Sequence, residues 1–374
     1  MAGNLGKGRL AAALSVLATT ALFLPSPAQA ATDGGHQAAQ ASLNALQAIG
    51  GPGAGLYAGD PSGSWSLTAG TGTTDANRPV QPTDHYRVGS QTKTFTAVAV
   101  LQLVDDGKVD LDTAIERYLP GVVDGNGYDG NTITVRQLLQ HTSGIPTNVP
   151  NPRANPDGTY TLAALVRDGL SHRPAFPPGT SFQYSNTNFQ ILGMLIEKIT
   201  GTPVGQAIRS RIIEPLGLTD TRFPEPGDRT LADPYVHGYR GIRVGPFFYW
   251  QDATTTLEPS LFHSAGAMTS TERDMATFFQ ALVDGKLLSR ASLAQMETPG
   301  AHAPYGLGLD RLPLPCGGVA FGHNGGVPGY LSFSAATPDG RHVAVMTNSM
   351  VQLNAQAAIE KMTAAASAAL CEHR

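Results

Sequence analysis

Charge, cysteine and tryptophan are all scarce in this chain. Charged residues are 14% of it, with two tryptophans and two cysteines, and the formal net charge is −4. That balance gives no encouragement to nucleic-acid or anionic-membrane binding, which needs a basic face. The ten histidines show no metal-ligand spacing such as His-Glu-x-x-His, so no metal is expected. There is no Gly-x-Ser-x-Gly elbow, no phosphate loop and no dinucleotide fingerprint opening a helix; no cofactor is expected. Long apolar runs are missing too. Only residues 10–24 form one, and it is too short and too broken by Thr19 and Thr20 to favour a membrane anchor.

That run follows Lys7 and Arg9 and precedes Ala28-Gln29-Ala30, the layout of a signal peptide over 1–30 with the mature chain starting near Ala31. Its removal takes the net charge from −4 to −6. A secreted, extracellular bacterial protein without a stable membrane anchor is expected. In such a compartment Cys316 and Cys371 are most simply one disulfide, two free thiols being the alternative. The closed loop would contribute about 4 kcal/mol at most.

What is plentiful is glycine (43) and proline (27), in 374 residues of which 41% are hydrophobic. That suits a compact protein with many turns and enough chain for one large domain or two. Strands are predicted over 54–59 and 64–69, and a helix buried on most sides over 90–106, stopped by Gly107. Thr134 with Gln137 forms a capping-box pattern for a helix over 135–140. Another helix is predicted over 186–200 and a fourth from Thr271 to Leu282. Strands over 318–322, 330–336 and 342–348 follow, then a closing helix over 354–370. The reading is an α/β (α+β) fold: one antiparallel sheet flanked by helices, from 31–106 and 265–374, with 107–264 an inserted, mainly helical domain.

Three short patterns carry the chemistry, each occurring once. In Ser90-Gln91-Thr92-Lys93 the lysine falls one helical turn after the serine, within reach of its hydroxyl. A buried lysine can lose its proton and act as a base, and a serine needs one. Tyr184-Ser185-Asn186 precedes a buried helix; its tyrosine can take part in proton transfer, and Asn186 can hold a substrate carbonyl or orient Lys93. His323-Asn324-Gly325-Gly326 follows a strand. There a substrate can lie along the sheet, and the Gly326 N–H with that of Ser90 can form an oxyanion hole.

In this order (Ser-x-x-Lys, Tyr-x-Asn, His-x-Gly) the motifs are similar to those of the penicillin-binding serine hydrolases. With residues 86–90, 138–144 (Leu-Leu-Gln-His-Thr-Ser-Gly), 264–266 and 305–309, the chain resembles the secreted serine D-alanyl-D-alanine carboxypeptidases that share a fold with class C β-lactamases. The resemblance implies a β-lactamase/transpeptidase-like fold and a two-step acyl transfer on Ser90 with Lys93 and Tyr184. It implies Asn186, His323, Gly325 and Gly326 as substrate-binding or proton-relay positions, with Cys316 and Cys371 where those enzymes carry their pair. It also implies a small peptide or peptidoglycan-stem substrate, with β-lactams as acylating ligands. His141 to Gly144 is read as a structural loop. Two departures stand out. The third motif of those enzymes is His-Thr-Gly-Thr, whereas Asn324 and Gly326 replace both hydroxyls here. An arginine that meets the substrate carboxylate there aligns with Asp310, and Arg311 should face the opposite side. A carboxypeptidase is the leading expectation. The alternatives are an esterase, a D-aminopeptidase or a β-lactamase on the same centre, the last disfavoured because those enzymes prefer lysine at His323. A binding protein without turnover comes last.

Overall fold

The computed structural model describes residues 35–147, 152–244, 247–350 and 355–372; the expected leader lies outside them. Helix α1 (Gln37–Gly50) leads into strands β1 (Gly53–Asp60) and β2 (Gly63–Gly70). The hairpin between the strands turns where Asp60 Oδ1 accepts the Ser62 N–H at 2.8 Å, an aspartate turn. A 3₁₀ turn, Gly89–Gln91, opens helix α2 (Thr92–Asp105); α3 (Val135–Leu139), α4 (Asn186–Thr200) and α5 (Glu272–Val283) follow. Strands β3 (Asp310–Pro313), β4 (Val319–Val327), β5 (Tyr330–Ala336) and β6 (His342–Thr347) come next, then helix α6 (Ala355–Cys371). The strands lie side by side as β2-β1-β6-β5-β4-β3, every neighbouring pair antiparallel. β1 pairs with β6, so the two ends of the chain meet in mid-sheet.

Each sheet face has its own apolar layer. On one side α1 and α6 contribute Leu43, Leu46, Met362 and Leu370 against Leu56, Phe333 and Val345. On the other side a single cluster runs from Val80 through Phe95, Phe189 and Ile212 to Met346. The stretches that the sequence assigns to the sheet part and to the inserted part therefore share one core. Eleven of the fourteen residues of α2 are buried, as its all-round apolar pattern demands of a central helix. Phe95 stacks on Phe278 of α5 with ring centroids 3.7 Å apart. The Thr134–Gln137 capping box forms as expected. Thr271 caps α5 through the Asp274 N–H, and Gly201 stops α4 in the left-handed region. The expected disulfide is present: Cys316–Cys371 ties the turn between β3 and β4 to the end of α6. No helix among the described residues is long and apolar enough to cross a membrane.

The strand that the alignment of Asp310 implies, given no bounds there, is the four-residue edge strand β3. The structure departs from the sequence reading in three places. Helix α2 starts at Thr92, so Ser90 sits in the preceding 3₁₀ turn. A hairpin, Tyr239–Val244 with Phe247–Asp252, occupies a stretch read as helix and loop. Finally, β4 runs through to Val327, so His323, Asn324, Gly325 and Gly326 lie on the strand and not beyond it. Glycines usually weaken a strand. Here they are required by close approach: a Cβ on Gly325 would stand 1.9 Å from Val88 O, and one on Gly322 2.2 Å from Ser334 O.

Candidate active site

The nucleophile turn is held between the sheet and the 264–270 segment. Tyr86 and Arg87 pair with Ser270 and Thr269, and Gly89 bends the chain with φ +57°. Gln91 Nε2 donates to Ser332 Oγ at 2.7 Å, and that hydroxyl donates to Val88 O at 3.1 Å. Ser332 lies opposite Gly325 in the β4–β5 register. These bonds press the turn against β4, so that a Cβ on Gly89 would meet Gly326 N at 2.8 Å. Gly326 N is thereby set one residue from Ser90, which keeps partial exposure.

Lys93 is fully buried. Its Nζ lies 2.7 Å from Asn186 Oδ1, 2.7 Å from Ala265 O and 3.2 Å from Ser90 Oγ. No carboxylate offsets the loss of water, and burial alone drives the lysine well below its ordinary pKa. A neutral amine has two N–H bonds and one lone pair. The two carbonyl acceptors engage the N–H bonds, leaving the lone pair toward the serine hydroxyl. Asn186 thus orients Lys93, one of the two roles its position suggested.

Tyr184 stands beside this pair, with Lys93 Nζ 4.7 Å from its ring centroid. Its buried hydroxyl completes no hydrogen bond of good geometry. It is near enough to Ser90 for that side chain to favour the ionised form, yet burial outweighs this and raises the phenol, with Asp310 adding to the rise. Lysine and tyrosine are therefore pushed in opposite directions, and Lys93 gives up its proton first.

Behind Tyr184 lies His141, ring centroids 4.3 Å apart, in the left-handed region at φ +58°. Its Nδ1 accepts the Ser185 N–H at 3.2 Å, and Ser143 Oγ donates to Asn188 Oδ1 at 2.7 Å. The loop from His141 to Ser143 is bonded to the tyrosine segment and fixes its course.

His323 is completely buried. Its Nδ1 lies against Asn324 O and its Nε2 is 2.9 Å from Tyr305 Oη. Burial, with the nearby Lys93, brings its pKa down to about 3 against the Asn324 carbonyl that opposes the change. An imidazole uncharged at neutral pH has no positive charge to offer a substrate carboxylate. Tyr305, its partner, is a site residue to which the sequence reading assigned no role. The only signal was its place in Tyr305-Gly306-Leu307-Gly308-Leu309.

Asp310 begins edge strand β3, opposite Gly322, and its carboxylate is near enough to the Asn324 N–H for that donor to favour the ionised form. Arg311 is exposed. In a regular strand alternate N–H groups point the same way. Asn324 N and Gly326 N therefore share the β3 side of β4, and past Asp310 no strand among the described residues covers that edge. Gly325 points its Cα toward Val88 and serves the close approach, while Gly326 presents its N–H at the open edge. A surface cleft of about 870 Å³, lined by Gln206, Arg209, Glu214 and Phe223 among others, contains none of these residues. Among the described residues no group of three or more His, Cys, Asp or Glu is arranged to hold a metal ion.

Known proteins resemble this chain over most of its length. The beta-lactamase family model matches residues 18–367. A D-stereospecific amidohydrolase from Streptomyces sp. superimposes with a TM-score of 0.77 at 41% identity, over 87% of this chain and 98% of that one. The D-amino acid amidase from Ochrobactrum anthropi SV3, complexed with D-phenylalanine, gives a TM-score of 0.77 at 27% identity, over 88% and 97% of the two chains. A protein of Bacillus subtilis (strain 168) provisionally named penicillin-binding protein PbpX is 29% identical over 298 residues, 77% of this chain and 68% of its own length. With the family match spanning nearly the whole sequence and a serine, a lysine and a tyrosine converging beside an open sheet edge, the chain belongs to the beta-lactamase family of serine hydrolases.

Proposed function

We propose that this protein is an exported serine amidohydrolase that cleaves amides and esters of D-configured amino acids through an acyl-enzyme on Ser90. The observation that carries the reading is the Lys93 amine, buried without a counter-ion and fixed by two carbonyls so that its third direction faces Ser90 Oγ. Ser90 Oγ attacks the substrate carbonyl carbon as its proton passes to Lys93 Nζ. The developing oxyanion is received by the N–H groups of Ser90 and Gly326. As the tetrahedral species collapses, the carbon–nitrogen bond breaks, and the proton returns through the Tyr184 hydroxyl to the departing nitrogen. Water repeats the sequence on the ester and frees the acid. His323 and Tyr305 brace the tyrosine side. Export is supported by the leader pattern over 1–30 and by the Cys316–Cys371 disulfide, a bond suited to an oxidising compartment.

The substrate class is supported by the two D-specific amidohydrolases among the solved relatives. D-alanyl-D-alanine carboxypeptidase activity is the second reading, favoured by the penicillin-binding relative. The carboxylate of Asp310, at the position where the sequence comparison expects an arginine, disfavours it. The deciding experiment compares release of ammonia from D-phenylalanine amide, its L-enantiomer as control, with release of D-alanine from a peptide ending in D-Ala-D-Ala. Each is run with the parent and with Ser90→Ala. Faster Ser90-dependent turnover of the D-amide is expected; faster turnover of the peptide would replace this reading with the carboxypeptidase.

A further inference from the structure

The open edge of β4 ends on a carboxylate that has no counter-ion. Asp310 stands opposite Gly322 in the register of β3 with β4 and bridges to Tyr305; the Asn324 N–H is near enough to favour its ionised form, and no cationic side chain pairs with it among the described residues. It is near enough to oppose ionisation of both Tyr184 and Tyr305. Burial brings its own pKa up to about 7, as expected of an acid held out of water with one donor. A negative group close to Tyr184, within a site where negative charge must gather, works against the reaction. It is tolerable when the substrate brings a positive charge to that spot.

The spacing says where that charge lies. Asn324 N and Gly326 N are two residues apart along a strand, about 7 Å. A substrate carbonyl oxygen accepting from the Gly326 N–H sets the α-nitrogen, two bonds from the carbonyl carbon, toward the other end of that interval, where the Asp310 carboxylate beside the Asn324 N–H is the acceptor for an ammonium N–H. We infer that Asp310 binds the free α-ammonium group of the acyl moiety, making the enzyme selective for amino-acid derivatives with an unblocked amino terminus. The inference rests on the reading of Ser90 as an acyl-transfer nucleophile for amino-acid derivatives. It adds which atom of the substrate the site grips, and why the arginine expected at this position would be out of place.

The test uses the full chain and two p-nitrophenyl esters with the same leaving group, one of D-phenylalanine and one of 3-phenylpropionic acid, which lacks only the amine. Asp310→Asn removes the charge and keeps one oxygen that can accept from the Asn324 N–H; its thermal midpoint is recorded alongside the parent's. The parent should favour the amine-bearing ester, and the variant should lose about 10- to 100-fold in kcat/KM on that ester while the desamino ester holds or rises. Equal loss on both esters would reduce Asp310 to a structural support of β3, and no loss on either would remove it from recognition. Either result overturns the inference. D-phenylalanine amide is run in parallel. Asp310-dependent ester preference without amide turnover would sink the proposed function and leave the inference standing. Amide turnover without that preference would do the reverse. If Ser90→Ala leaves the hydrolysis of both esters unchanged, both fall.

Discussion

The contact between the nucleophile turn and strand β4 separates two adjacent glycines that look equivalent in the sequence. A methyl group on Gly325 would stand 1.9 Å from Val88 O and 2.9 Å from Ser332 Oγ, against ordinary contacts that begin at 3.4 Å. Relief needs a shift of about 1.5 Å between β4 and the backbone leading to Ser90, on the scale at which misplacement costs about 100-fold in rate. The same overpacking should cost about 1–3 kcal/mol of stability. A methyl group on Gly326 meets only Met350 Sδ at 3.1 Å and Leu331 Cδ1 at 3.5 Å, both ends of flexible side chains, and leaves the N–H in place. Gly325→Ala should therefore lower the second-order rate of Ser90 acylation by a chromogenic ester or β-lactam about 100-fold, with a depressed melting temperature. Gly326→Ala should stay within about 3-fold of the parent. Stopped-flow acylation and differential scanning calorimetry on both variants make the comparison. Parental acylation by Gly325→Ala, or equal damage from the two substitutions, would refute the claim that close packing sets the oxyanion donor beside Ser90.

Asn186→Ala removes one of the two carbonyls that orient Lys93 and also stabilise its charged form. The rate should fall about 10- to 100-fold, and the acid limb of the pH–rate profile should move to lower pH; a limb that stays put or rises would contradict the assignment. Phe95→Ala empties the centre of α2 against Phe278 and should cost about 3–5 kcal/mol in urea unfolding. His323 stays uncharged in the folded protein down to about pH 3, while its unfolded counterpart takes a proton below about 6.5. Unfolding gains that proton, so stability falls with pH across this window by roughly 1.4 kcal/mol per unit from this group. His323→Gln should flatten that part of the decline in urea midpoints measured between pH 7 and 4.5, and an unchanged slope would remove His323 as its source.

The catalytic centre was legible because its chemistry is local. Ser90 and Lys93 are one turn apart, and Tyr184 and Asn186 precede a helix whose apolar periodicity is plain; packing then brings the two pieces to 2.7 Å through Asn186 Oδ1. The helices, caps and disulfide were readable for the same reason: each is set by residues close in sequence or by the few cysteines present. The misses are places where distant partners decide. Strand β3, implied only by the alignment of Asp310, has four residues alternating between half-buried and exposed, and its bounds are set by pairing with β4. The glycines of β4 argue against a strand until Val88 and Ser334 are seen pressed against them. Tyr305 has no motif of its own chemistry, and only its 2.9 Å contact with His323 reveals it. The hairpin near Tyr239 follows Pro-rich chain that carries turn signals without a clear alternation.

The central claim is that Ser90 is the acylated nucleophile. Acid-quenched intact-protein mass spectrometry after brief mixing with a β-lactam or an activated D-amino-acid ester, followed by peptide mapping, tests it most directly. The account predicts one acyl adduct per chain, located on Ser90 and absent from Ser90→Ala. An adduct on another residue, or undiminished labelling of Ser90→Ala, would contradict it.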